Sequence, residues 1–73
     1  MPCIVRDGTF SIYVYARDHP PPHCHVYWDG DKIALVELLS MTVIGGDRLP
    51  RRGRALVRTN VAVLREAWSR LNP

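Results

Sequence analysis

The sequence predicts an α+β domain, an antiparallel meander of four to five strands with one C-terminal amphipathic helix packed on one face. Three observations point there. Runs of β-branched and aromatic residues alternate with period two through the first half of the chain. The turns Asp7-Gly8, Asp29-Gly30-Asp31 and Gly45-Gly46-Asp47 punctuate those runs. From Val57 the apolar residues recur instead at alternating steps of four and three, through Val61, Leu64, Trp68 and Leu71, the stripe of an amphipathic helix.

Each element follows from its own residues. Pro2 to Arg6 is a short strand, residues 2–6, stopped by Asp7-Gly8. In the run 10–17, Phe10, Ile12, Val14 and Ala16 take one face and Ser11, Tyr13, Tyr15 and Arg17 the other, so the two runs predict a hairpin. Pro20, Pro21 and Pro22 then forbid a helix and favour extended backbone. A strand resumes over 23–28, and another over 32–39 carries apolar residues on both faces, which suits a central or covered position. Residues 41–44 add a short edge strand. The helix is expected over about 51–71, with Pro50 near its start, where proline is tolerated, and Gly53 weakening its first turn. Neither a lone helix nor a lone sheet can hide its apolar face, so the two pack together.

At 73 residues the chain is expected to be one domain, 1–73, with a modest core. Scaffolds of this size often draw further stability from a disulfide, a metal or a partner. Cys3 and Cys24 are too few for a disulfide framework. The first residues lack a basic start and a long apolar run, so both thiols are read as reduced, in a cytoplasmic protein. No stretch approaches the roughly 20 apolar residues of a membrane span. The formal net charge is +3, and nine of the ten cations are arginine, suited to bidentate contact with phosphate or carboxylate. Placed about 100° apart per residue, Arg51, Arg54, Arg58 and Arg65 fall within roughly 60° of arc. Three uses fit that edge: tracking RNA or DNA phosphates, docking an acidic partner protein, or a plain solvated face.

The informative segment is Asp18-His19-Pro20-Pro21-Pro22-His23-Cys24-His25, which holds all three histidines of the chain. On a strand His23 and His25 project to one face and Cys24 to the other, with Val26 and Trp28, which reads as core rather than nucleophile. Three readings stand side by side. His19, His23 and His25 could hold a divalent transition metal, with Asp18 as a fourth or supporting group. The histidines could instead do metal-free acid–base chemistry, with Arg17, the tyrosines and the helix arginines supporting a phosphodiester. Or the segment could be a proline arch with solvated histidines. In this register Tyr13, Tyr15 and Tyr27 share the outward sheet face, where aromatics would favour nucleic acid by stacking.

The residues from Pro2 to Leu56 resemble a family of small bacterial and archaeal proteins carried under a domain-of-unknown-function label. The resemblance rests on Met1-Pro2-x-Ile4, Gly8, Ile12-Tyr13-x-Tyr15, Asp18-His19-x-Pro21-Pro22-His23-x-His25-Val26, Gly30 and Leu49-Pro50-Arg51-Arg52. A bulky aromatic commonly stands between the last two histidines of that signature; here it is Cys24. Asn60 and Leu64 stand where a tryptophan and a histidine are expected. Members are often encoded beside a second very small protein, an arrangement similar to toxin–antitoxin pairs, and this implies a cognate antitoxin-like partner.

The leading expectation is an RNA-acting toxin, a metal-independent endoribonuclease without cofactor. His23, His25, His19 and Asp18 would be catalytic, and Arg17, Arg51, Arg54, Arg58 and Arg65 would bind nucleic acid. The alternatives are a non-enzymatic module binding a partner or DNA, and a metal-binding domain with His19, His23 and His25 as ligands. Self-association into a homo-oligomer is also expected to be open to so small a chain.

Overall fold

A computed structural model describes residues 3–46 and 48–73. Five strands, β1 (Cys3–Asp7), β2 (Phe10–Tyr13), β3 (His23–Trp28), β4 (Asp31–Glu37) and β5 (Val43–Gly46), precede two helices, α1 (Arg51–Thr59) and α2 (Val61–Leu71). The strands form one antiparallel sheet in the order β1-β2-β3-β4-β5, each beside its neighbour in sequence. The five-stranded meander is thus as the alternation implies. Pro2, expected to open the first strand, and Asp47, expected in the third turn, lie outside the described residues.

Short turns set the register. Asp7 pairs with Phe10 across Gly8-Thr9, where Gly8 has φ +61°. Trp28 pairs with Asp31 across Asp29-Gly30, whose φ values of +53° and +87° match the twist of a two-residue hairpin. Ile12, Cys24, Val26, Ala34 and Val36 line the inward face and meet Val57, Leu64, Ala67 and Trp68 from the helices. Gly53, expected only to weaken the helix, is buried there. A Cβ on it would lie 3.0 Å from Leu49 Cδ1 and 3.1 Å from Phe10 Cε1, so α1 approaches closely there and an added methyl would make those side chains give by a few tenths of an ångström.

The expected boundaries shift in four places. The strand expected over 10–17 ends at Tyr13, the last residue paired to β3, and Ala16 is exposed. Arg17 has φ +57°, and this left-handed residue turns the chain back toward β3. The strand expected over 32–39 ends at Glu37, whose carboxylate accepts the backbone N–H groups of Leu39 and Ser40 and the Ser40 hydroxyl. Met41 follows at φ +64°, and β5 therefore starts later than the expected 41–44 and takes in Gly45 and Gly46.

The fourth change is the helix, which is two helices rather than one. Asn60 sits between them at φ −108° and ψ 15°, and its side-chain amide donates to Leu56 O at 2.8 Å. An asparagine side chain that bonds nearby backbone competes with the helical ladder, and Thr59 and Val61 beside it are β-branched. The apolar stripe survives the break because Leu64 N still donates to Asn60 O. No helix among the described residues is long and apolar enough to cross a membrane.

Candidate functional site

The segment after β2 carries the site. Past the turn at Arg17, Asp18 points back at the start of β3. Its backbone N–H donates to Asn72 Oδ1 at 2.8 Å, and Asn72 Nδ2 donates to Tyr15 O at 3.0 Å. One side chain just past α2 therefore ties down both ends of the segment 15–18. The prolines then lead the backbone to His23, with the Pro20–Pro21 peptide cis.

Three ligand-type atoms converge. Asp18 Oδ2 lies 3.0 Å from His23 Nε2 and 3.1 Å from His25 Nε2, and one ligand atom from each residue falls within 4.8 Å of the others. His23 and His25 share a face of β3, as the sequence pattern requires. The His23 ring packs on Trp68 with centroids 5.1 Å apart, and the His25 ring stands edge-on to Tyr15 at 4.6 Å.

The hydrogen-bond inventory restricts the protons. His23 Nδ1 lies 2.8 Å from Pro21 O, a carbonyl that can only accept, so Nδ1 carries a proton and Nε2 faces the carboxylate. His25 Nδ1 is buried without a hydrogen-bond partner among the described residues. Burial drives the pKa of His25 below its ordinary value, against the opposing pull of Asp18. Burial raises the Asp18 carboxyl, but the His25 hydrogen bond, the charge of His23 and the His19 backbone N–H together outweigh it and leave it below the ordinary aspartate value.

The site is smaller than the sequence expectation, and differently composed. Asp18, His23 and His25 come together, whereas His19 is exposed and supplies its backbone N–H to Asp18 Oδ1, with its ring outside the group. Cys24 is fully buried in the core, and burial pushes its thiol up to about 12, as expected of a packing residue. Cys3 and Cys24 are both free thiols.

The arginines divide. Arg65 Nε donates to Leu38 O at 2.9 Å and Arg54 Nη1 to Met41 O at 3.2 Å, so these two brace the turn between β4 and β5. Arg51 and Arg58 are exposed, and so is Arg17, beside Asp18. Asn72 and Trp68 were missed as site residues. Trp68 shows in sequence only as a member of the core stripe, and Asn72 follows that stripe with no motif to mark it.

The three residues form a group that could hold a metal ion. Ligands about 2.1 Å from a metal and at right angles to one another stand about 3.0 Å apart. The two Nε2–Oδ2 separations are compatible with that spacing, as they are with direct hydrogen bonds. The bond from His23 Nδ1–H to Pro21 O is the kind of outer contact that orients a ligating imidazole.

Sheet, helix pair and convergent side chains define a small α+β domain with a candidate two-histidine, one-carboxylate centre. The family described as Domain of unknown function (DUF4160) matches residues 9–69, and the chain belongs to that family. The match covers α1 and most of α2, further than the signature-based resemblance ending at Leu56. Comparison with curated proteins and with solved structures gives no match.

Proposed function

We propose that this chain binds one divalent transition metal through Asp18 Oδ2, His23 Nε2 and His25 Nε2, and is a metal-assisted enzyme. The observation that carries this reading is the convergence of three ligand-type atoms within 4.8 Å of one another, both imidazole Nε2 atoms meeting one carboxylate oxygen. It also ranks the metal above metal-free acid–base chemistry. Both Nε2 atoms point at the same carboxylate oxygen, His23 Nδ1 is engaged by Pro21 O, and His25 Nδ1 is buried, so neither His23 nor His25 has a ring nitrogen left to face a substrate. Two-histidine, one-carboxylate sets leave coordination positions open. A bound ion would polarise a substrate oxygen and lower the pKa of a water ligand. The protein's part is positional. Asn72 holds the Asp18 backbone, Pro21 fixes the His23 ring, and Trp68 and Tyr15 wall the imidazoles.

Metal analysis and cobalt titration followed by visible absorption test this. The expected result is one equivalent bound by the wild-type chain, lost in Asp18→Asn and His25→Ala and retained in His19→Ala. Wild-type protein that stays metal-free under saturating zinc and cobalt would overturn it. The toxin role implied by the family resemblance is a proposal for this same site: an RNA-cleaving enzyme would arrest a bacterial host on induction, and Asp18→Asn would relieve the arrest.

A further inference from the structure

Two surfaces border the Asp18–His23–His25 cluster. The first is a groove between the Arg17–Pro20 segment and the end of α2, lined by Arg17, Asp18, Pro20, Trp68, Leu71 and Asn72. Arg17 is exposed there and makes no hydrogen bond or ion pair to another described residue, so its guanidinium is available beside a ligand carboxylate. The second is a concavity on the outward sheet face, where Tyr13, Tyr15 and Tyr27 cluster with Arg6 and Ser11. Tyr13 is the register partner of His25, and Tyr15 touches the His25 ring, so this aromatic face reaches the cluster directly. Tyr13 and Tyr15 stack at 5.9 Å, Tyr13 meets Tyr27 edge-on at 5.1 Å, and the Tyr15 and Tyr27 hydroxyls hydrogen-bond at 3.0 Å. Arg6 Nη2 reaches the Tyr13 hydroxyl at 3.5 Å, which places a second cation on the aromatic face.

A metal, a free arginine and a platform of three phenols make different demands on a ligand. A metal and an arginine together suit a phosphate oxygen. A small phosphate would leave the tyrosines unused. A duplex hides its base faces in its own stack, whereas a single strand offers unpaired bases to aromatic side chains and its backbone to the cations. We infer that the substrate of this site is a single-stranded polynucleotide, with one backbone phosphate held between the Asp18–His23–His25 centre and Arg17 and the adjoining bases laid on Tyr13, Tyr15 and Tyr27. The inference rests on the metal reading for the phosphate position. Two of the helix arginines, Arg54 and Arg65, take no part in it. Arg54 and Arg65 are spent on the β4–β5 turn, and the α2 residues at the cluster are Trp68 and Leu71.

Fluorescence anisotropy with zinc-loaded protein and labelled oligouridine tests the assignment, with oligodeoxythymidine, duplex RNA of equal length and inorganic phosphate as competitors. The expected result is binding of the single strand that unlabelled duplex and phosphate fail to displace. Arg17→Gln and Tyr13→Ala should each weaken it about tenfold, with zinc stoichiometry unchanged and folding verified by circular dichroism. Competition by the DNA oligomer reads whether the strand's sugar is discriminated. Zinc-loaded protein with no affinity for either single strand, or with equal affinity for duplex, would overturn this inference and leave the metal reading standing. Failure to take up zinc would overturn the metal reading, and retained affinity of the metal-free protein with a Tyr13→Ala loss would then locate binding on the aromatic face alone and sink the bridged phosphate.

Discussion

The side-chain amide of Asn72 accepts the backbone N–H of Asp18 at 2.8 Å, although the two residues lie 54 positions apart. The same side chain donates to Tyr15 O and to Trp68 O. Asn72→Ala removes these bonds and frees the segment that carries the Asp18 carboxylate. Supporting contacts of this kind are worth about tenfold or more in metal affinity, and about 1–2 kcal/mol of stability is expected to go with them. Cobalt titration and thermal melting of the variant measure both, and a full-affinity Asn72→Ala protein would show that Asp18 is placed by its own turn.

The two bracing arginines separate architecture from ligand binding. Arg65→Ala leaves Leu38 O and Leu39 O without their donor. A loss of about 1 kcal/mol in denaturant unfolding is expected, with no change in oligonucleotide affinity. Arg17→Gln is expected to do the reverse. Equal losses of oligonucleotide affinity in both would return the helix edge to the binding surface.

The Tyr15–Tyr27 contact gives a pH dependence whose sign is fixed. The hydrogen bond to Tyr27 raises the Tyr15 phenol from 10.0 to about 12, with burial adding to it. A raised pKa in the folded state favours the neutral form, so its contribution is complete below pH 10 and is lost as pH rises toward 12. Melting temperature should therefore fall over that interval. Tyrosinate absorbance should show one phenol ionising late, and Tyr27→Phe should bring it forward.

Gly46 closes β5 at φ +87°, and a Cβ there would collide with Ile33 O and crowd Ala34 Cα at 2.8 Å. Both obstacles are backbone and cannot rotate away. Gly46→Ala is expected to destabilise the fold by more than about 1 kcal/mol, whereas Gly8→Ala, with open space around its Cβ, meets only the strain of its φ of +61°. Denaturant midpoints of the two variants rank them.

The sheet was legible because its information is local. Alternation in 10–14 and 23–28 and the two glycine turns state which residues pair and which face the core. The helix break was not, because Asn60 falls outside the apolar stripe and interrupts only the backbone. In the site, the parity of His23 and His25 follows from strand geometry, but the choice between His19 and Asp18 depends on the left-handed turn at Arg17, which no residue preference announces. The roles of Asn72, Arg54 and Arg65 depend on contacts across more than ten residues of sequence, and such contacts leave no periodic trace.

Because every strand of the meander lies beside its neighbour in sequence, the sheet needs no long-range closure and can assemble in the order in which the chain is made. The cluster cannot. The histidines arrive with β3, but one wall of the His23 ring and the tether of Asp18 come from Trp68 of α2 and from Asn72 just past it. Without α2 and Asn72 the Asp18 segment loses its tether and His23 its Trp68 wall, so the arrangement of this site depends on helix docking and not on the sheet alone.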